Sequence, residues 1–435
     1  MIPKQAICGF VVVLGIFPWV LAASSVTSTD QQIWASQELA KRSPSDYTAY
    51  DQLGLAYLQK TRETADVAYF GLAEKALSKS LELAPKDFRA ADPLVHMALV
   101  SMGEHNFKAA LMYSQKAIAL GAGNLPAFAL EGDAYTDLGE YDKAQSAYDA
   151  LRAIGTVSTS SLSLDYLLDS RIAYLHFLTG DTPGSIVLMK TAIAAGLQTN
   201  VPKENLAWLY FELGERYWQA GDLNGAASSY ESGVSIDPTH YRSLAGLAKV
   251  RAAQGRFKES ANLYEQSIAV VPFPQYIAEL GDVWERLGER QRAQDEFDLV
   301  EYIAGLGTLN RVLANRELAL FYADHDIHPL QALQLARAEL SLRKDIYTWD
   351  TLAWALFKNG QLQEARECSA NALRLNTADS LLFFHAGMIR HALGQDSEAA
   401  EFLDRALKLN PHFHIRYAEV ASETLVAIRS AKASN

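Results

Sequence analysis

Asp324-His325-Asp326-Ile327-His328 sets two carboxylates and two imidazoles, side chains that bind zinc, within five consecutive positions. Such a cluster could hold a metal ion and make the chain a metal-dependent accessory protein or enzyme. The plain reading is a solvated turn, with Asp326 ahead of Pro329 suiting the start of a helix. His412-Phe413-His414 is a weaker cluster, and His385 and His391 lack the spacing of ligands on one helix face. No phosphate-cradling glycine loop, HExxH, GxSxG or paired CxxC occurs. No catalytic residue, metal or cofactor is therefore expected, and function has to be sought in a surface.

The stretch Tyr210–Pro238 shows which elements would build that surface. Tyr210, Leu213, Gly214 and Tyr217 fall three or four apart and share one face of a helix. Gly221 ends that helix and Asp222 starts another, in which Ala226, Tyr230 and Gly233 repeat the spacing until Pro238. Two amphipathic helices joined by a tight turn cannot cover both apolar faces alone, so the unit needs neighbours stacked on either side. The chain supplies them, as Ile277, Leu280, Gly281, Trp284, Gly288, Ala293 and Phe297, and again as Trp349, Leu352, Ala353, Gly360, Ala365 and Ala372.

This arrangement resembles the tetratricopeptide repeat, with its period of about 34 residues and its W-x2-L-G-x2-Y…A-x3-F…P pattern. The resemblance implies an all-α protein, a right-handed α-solenoid or superhelix of about ten stacked helix-turn-helix repeats. It also implies a non-catalytic protein-protein interaction scaffold that binds a peptide or helical segment of a partner protein in a concave groove. In that family the first helix of each repeat lines the groove at positions two before, one after, five after and eight after the first signature residue. Carried onto this sequence, these are Trp208, Phe211, Glu215 and Trp218 in the fifth repeat, and Arg242 and Lys249 in the sixth. The seventh gives Asp282, the ninth Tyr347, Asp350, Trp354 and Phe357, and the tenth Phe384 and Met388. Large aromatics at outward positions suit packing against a peptide or helix. The opposing reading is that neighbouring helices cover them, in which case the chain is a purely structural spacer. The lysine and asparagine set with which some members clamp a C-terminal carboxylate is missing from every run of adjacent repeats, which argues against a cytosolic heat-shock co-chaperone.

Length and composition fit this picture. The 435 residues exceed one compact core, and a stacked array avoids splitting by growing along one axis. A hydrophobic content of 49% with 21% charged residues suits a packed fold. The net charge of −12, with no block of lysines or arginines, argues against nucleic acid or an anionic membrane surface as main partner. At the N-terminus Lys4 precedes an apolar run from Cys8 to Leu21 that closes on Ala22 and Ala23, the layout of a secretory signal peptide. Gly15 and Pro18 interrupt the run, which left uncleaved would act as a membrane anchor. A secreted or periplasmic protein without a further membrane span is expected. Cys368 then stands alone in the mature chain, forms no internal disulfide and reads as a small core residue.

The expected layout follows. Residues 1–23 are the signal peptide, 24–43 a polar leader and N-terminal capping helix, and 44–153 repeats one to three. Residues 154–163, with the serine- and threonine-rich Gly155–Ser163, form a connector that could hinge or divide the chain. Residues 164–411 are repeats four to ten, and 412–435 a C-terminal capping helix.

Overall fold

Helix starts and stops set the frame. Asn106, Asn124, Asp222, Asp345 and Asp379 each accept a backbone N–H from the first turn of the helix that follows, which satisfies a donor the helix itself cannot. At the opposite end of a helix, Gly221 takes φ +74, a left-handed conformation that a residue with a Cβ adopts only under strain. The computed structural model describes residues 28–64, 66–121, 124–309 and 315–433. The expected signal peptide lies outside these residues. Among those described there are helices and turns but no strand.

The chain divides into two compact units. The first takes the chain up to Arg171 together with Ala194–Val201 and Leu306–Leu313; the second takes Ile172–Ile193, Pro202–Gly305 and everything from Ala314. The first unit holds α1 (Thr29–Arg42), α2 (Tyr47–Thr64), α3 (Ala68–Leu83), α4 (Ala91–Gly103), α5 (Phe107–Leu120), α6 (Leu125–Asp137) and α7 (Tyr141–Ser158). Both units share α8 (Ser161–Leu178) and α9 (Thr182–Gln198). The second unit continues with α10 (Lys203–Gln219), α11 (Leu223–Ile236), α12 (Tyr241–Ala253), α13 (Phe257–Val270), α14 (Pro274–Leu287) and α15 (Arg290–Leu309), of which α15 ends among residues of the first unit. It closes with α16 (Asn315–Asp324), α17 (Pro329–Leu342), α18 (Ile346–Lys358), α19 (Leu362–Ala372), α20 (Ser380–Ala392), α21 (Asp396–Leu409) and α22 (Tyr417–Ala433).

Within the first unit α2 packs on α3, α4 on α5 and α6 on α7, and each pair meets the next. Within the second, α10 and α11, α12 and α13, α16 and α17, α18 and α19, and α20 and α21 pair in the same way, and α22 packs on α21. Hairpins of helices stacked on their neighbours make an α-solenoid of helical repeats. At several helix contacts an aromatic ring lies over a glycine. The fully buried Tyr230 ring lies between Gly214 of α10 and Gly246 of α12. A Cβ on Gly246 would stand 2.5 Å from Tyr230 Cε1, and one on Gly214 would overlap the same atom. Buried serines add fixed points between helices: Ser80 Oγ donates to Tyr47 O at 2.9 Å and Ser267 Oγ to Tyr241 O at 2.7 Å.

The serine- and threonine-rich segment departs from its expected form. Instead of a connector over residues 154–163, α7 runs on to Ser158 and α8 begins at Ser161. The hydroxyls there bond to their own helix, Thr156 Oγ1 to Ala153 O at 3.0 Å and Ser158 Oγ to Ile154 O at 2.8 Å, so their polarity does not break it. Gly155 and Leu164 are buried against each other. The division between units falls at Arg171, inside α8.

Candidate functional site

The turn between α16 and α17 disperses the side chains that are adjacent in sequence. Asp326 and His328 take φ +56 and +46, and successive side chains leave in different directions. Asp324 Oδ1 accepts from Trp354 Nε1 at 2.8 Å and from the Tyr417 hydroxyl at 2.9 Å. His325 Nε2 lies 3.1 Å from Asp282 Oδ1, and its Nδ1 lies 2.8 Å from Phe321 O. Lys358 Nζ reaches Asp326 at 2.6 Å, and His328 Nε2 faces Glu301 at 2.8 Å. These six contacts are spread over α14, α15, α16, α18 and α22. Among the described residues no group of three or more His, Cys, Asp or Glu is placed to hold a metal.

Asp282 and His325 form the deepest of these contacts. Burial by itself would raise the Asp282 carboxyl, but the His325 hydrogen bond and the charges of His325 and Arg416 hold it below the usual carboxylate range. Burial would lower the His325 imidazole, and the bond and charge of Asp282 outweigh that and raise it.

The expected groove residues divide into two sets. Phe211, Trp218, Asp282, Asp350, Trp354 and Phe384 are buried, with Trp354 and Phe384 each 1% exposed. For these six the expectation of a side chain facing open groove is corrected. Phe211 packs on Tyr230 with ring centroids 5.9 Å apart, and Trp218 joins Ala226, Ala227, Leu247 and Val250 in one core cluster. Trp354 stacks on His385 at 4.1 Å, and His385 Nδ1 in turn lies 2.8 Å from Asp350. Phe384 stacks on Tyr417 at 4.7 Å and meets Phe413 at 5.6 Å. Trp208, Glu215, Arg242, Lys249, Tyr347, Phe357 and Met388 are half-buried.

The half-buried set is an ordered array of charge and aromatic surface. On α10, Glu212 accepts from Arg216 Nη2 at 2.9 Å, and Glu215 accepts from Lys249 Nζ of α12 at 2.9 Å. The Tyr230 hydroxyl donates to Glu215 at 2.5 Å, and the Tyr264 hydroxyl to Glu279 of α14 at 2.8 Å. Lys249 Nζ stands 4.8 Å from the Trp218 ring centroid, and the Arg216 guanidinium 4.2 Å from that of Phe177. Burial would raise the Glu215 carboxyl, but the Lys249 charge and the bonds from Tyr230 and Lys249 hold it below the usual range. Burial raises Glu212 and Glu279, and their partners offset it only in part. Fixed, paired charges beside aromatic faces can orient a polar backbone; no nucleophile with an adjacent base is among them.

The second unit also closes on itself through contacts distant in sequence. Thr377 Oγ1 donates to Leu178 O, and Gln219 Nε2 to Asp379 Oδ2 at 3.2 Å. Asn410 Nδ2 donates to Trp218 O at 2.9 Å, and Gly221 lies so near Leu409 that a Cβ would overlap its carbonyl oxygen. Arg416 Nη1 reaches Asp282 at 2.9 Å and Glu285 at 2.6 Å, while Arg286 Nη2 donates to Ile415 O at 2.6 Å. Sequence reasoning misses Asn410, Arg416 and Tyr417 as partners of Trp218, Asp282 and Asp324. Nothing local marks a side chain whose partner is on the order of 100 residues away, because helical periodicity reports neighbours within one turn or one repeat.

Among the described residues no helix is long and apolar enough to cross a membrane. No curated protein matches the sequence. In all, 320 chains of solved structures are similar to it, among them the following two. The crystal structure of the APC/C hetero-tetramer Cut9-Hcn1 has 14% identity and a TM-score of 0.34, over 92% of this chain and 93% of that one. A tetratricopeptide repeat protein from Parabacteroides merdae ATCC 43184 has 18% identity and a TM-score of 0.33, over 61% of this chain and 99% of that one. Family models described as tetratricopeptide repeat match residues 125–151, 217–281 and 351–412. These stretches fall on α6–α7, on the end of α10 through α14, and on α18–α21, and in them the chain is similar to tetratricopeptide repeats.

Proposed function

We propose that the protein is a non-catalytic interaction scaffold of the cell envelope, exported by its N-terminal segment, that holds a peptide or helical segment of a partner protein. The observation that carries this reading is the half-buried array on α10 and α12, where Trp208, Glu215, Arg242 and Lys249 lie beside the ordered pairs of Glu212, Arg216 and Tyr230. Aromatic and arginine side chains set among already-paired charges suit a segment with both apolar side chains and exposed amide groups. The apolar run from Cys8 to Leu21 supports export, and the net charge of −12 favours a protein partner over nucleic acid.

Cross-linking the full chain in its own envelope, followed by mass spectrometry, tests this. One partner should be captured by the parent and lost on Trp208→Ala or Arg242→Ala, with the circular dichroism of both variants unchanged. Capture of no partner, or a partner indifferent to both substitutions, would defeat the reading. Trp354→Ala is unsuited to the same experiment, because Trp354 is buried among His385, Phe357 and Tyr417 and its removal perturbs the fold.

A further inference from the structure

We infer that the strap from His412 to Tyr417 is a tethered occupant of a recognition site on α14, α16, α18 and α20, and that this site takes a partner segment in which an arginine is followed by an aromatic residue. The inference rests on the scaffold reading above and names the chemistry of the segment.

The strap leaves α21 after Leu409 and enters α22 at Tyr417 without forming regular structure between them. Side chains hold it. Arg416 brings one nitrogen, Nη1, to within 2.9 Å of Asp282 Oδ1 and 2.6 Å of Glu285 Oε2. Tyr417 donates its hydroxyl to Asp324 Oδ1 at 2.9 Å while its ring stacks on Phe384 and meets the Trp354 ring edge-on at 5.6 Å. Acceptors and aromatic walls are thus arranged for one guanidinium and one phenol.

Charge complementarity identifies the class of occupant. Asp282, Glu285 and Asp324 supply three carboxylates, of which Arg416 touches Asp282 and Glu285 and His325 touches Asp282, while Arg286 is engaged by Glu419 and Ile415 O. Without Arg416 the carboxylates outnumber the cations that touch them, and Asp282 is nearly inaccessible to water, so a replacement cation is favoured. Guanidinium suits it because its planar fork can serve two carboxylates at once. Arg416 serves both acids through one nitrogen, whereas an arginine on a free segment can present two. The site is also reachable: the Arg416 side chain is 28% exposed and that of Glu285 46%. Meanwhile α22 has its own anchorage through the buried Ala421, Leu425 and Ile428, so the helix can stay docked when the strap lifts.

The test uses the full chain with Arg416→Ala and Tyr417→Ala together, and a fluorescent synthetic peptide of residues 410–420 as probe. The double variant should bind the peptide at least about tenfold more tightly than the parent, whose own strap competes at the high effective concentration of a tether. Replacing the peptide's arginine by alanine, or adding Asp282→Asn to the protein, should weaken that binding by about tenfold or more. If the double variant loses helix content, Arg416→Gln alone, with Tyr417 in place, serves instead. No binding to a folded variant, or binding indifferent to the arginine, would overturn the inference. So would dimers of the parent linked by exchanged straps in sedimentation, which would make the occupant a second copy. The partner capture on Trp208 and Arg242 reads the scaffold function separately, since they lie on α10 and α12 and the strap's contacts described above are on other helices.

Discussion

Substituting alanine for Gly221 and for Gly255 separates the two demands that a helix-ending glycine can meet. Both residues end a first helix in the left-handed region, at φ +74 and +73. Alanine in that conformation costs about 1–2 kcal/mol at either position. At Gly255 a Cβ meets no atom within 4 Å, so Gly255→Ala should stop there. At Gly221 the same Cβ overlaps the Leu409 carbonyl oxygen and stands 3.5 Å from Asn410 Cα. The Leu409–Asn410 backbone has to retreat, which puts at risk the buried bond from Asn410 Nδ2 to Trp218 O. Overpacking adds about 1–3 kcal/mol, and the buried Asn410 amide left without its acceptor about 1–3 kcal/mol more. Gly221→Ala should therefore exceed Gly255→Ala by at least about 2 kcal/mol in urea denaturation. Hydrogen exchange should locate the difference, with protection lost over residues 405–413 in Gly221→Ala alone. Adding Asn410→Ala should couple to Gly221→Ala and add independently to Gly255→Ala. Equal destabilisation by the two glycine substitutions, with protection over 405–413 unchanged in both, would refute the closure of the second unit.

Three further outcomes follow from buried groups. His240 caps α12, its Nδ1 accepting from Ser243 N at 3.3 Å, and burial, then the Arg242 charge, holds its imidazole at about 3 rather than 6.5. A lowered histidine contributes stability in full above its unfolded value and loses it as pH falls, on the order of 4 kcal/mol by pH about 3. His240→Asn, which keeps an acceptor at the cap, should flatten the acid slope of the urea midpoint below pH 6.5. His325 is raised, so its contribution is complete below 6.5 and fades as pH climbs through the folded value, while that of the lowered Asp282 fades on the acid side below 3.8. In His325→Phe the loss of stability on the alkaline side of 6.5 should vanish. Trp354→Phe removes the donor to Asp324 and leaves a cavity beside His385, and should cost about 2–4 kcal/mol in thermal denaturation.

What is legible in the sequence is what repeats within a few turns. Tyr210, Leu213, Gly214 and Tyr217 lie on α10 as their spacing requires, Gly221 ends it, and Asp222 caps α11 by accepting from Gly225 N at 2.9 Å. Cys368 is readable as a core residue, and burial, with the nearby Glu364 and Glu367, pushes its thiol up to about 11. The segment Gly155–Ser163 is not readable, because serine and threonine count as breakers by composition but here bond back into their own helix. The Asp324–His328 turn misleads for a related reason. Adjacency in sequence is not convergence in space, and two left-handed residues in five send the side chains apart. Groove positions are the intermediate case. Their spacing gives the direction in which a side chain leaves a first helix, and nothing in it says what lies opposite.

That last distinction decides which of the expected groove residues can still act. The residues on α18 and α20 have the larger aromatic surface, Trp354 and Phe384, yet both are covered by the chain's own Tyr417 and Phe413. The residues on α10 and α12 have less apolar area and more charge, and they retain partial exposure in Trp208, Glu215, Arg242 and Lys249. Buried aromatics stabilise a closed stack whether or not anything binds, since their apolar area is already removed from water. A ligand gains only from surface that is still wet in its absence, so the energy of binding has to come from the charged half or from displacing the strap on the aromatic half. The two possibilities differ in salt dependence. Contacts to the half-exposed Glu215–Lys249 array should weaken as ionic strength rises, whereas exchange of the strap substitutes one arginine for another on the buried Asp282 and should change little.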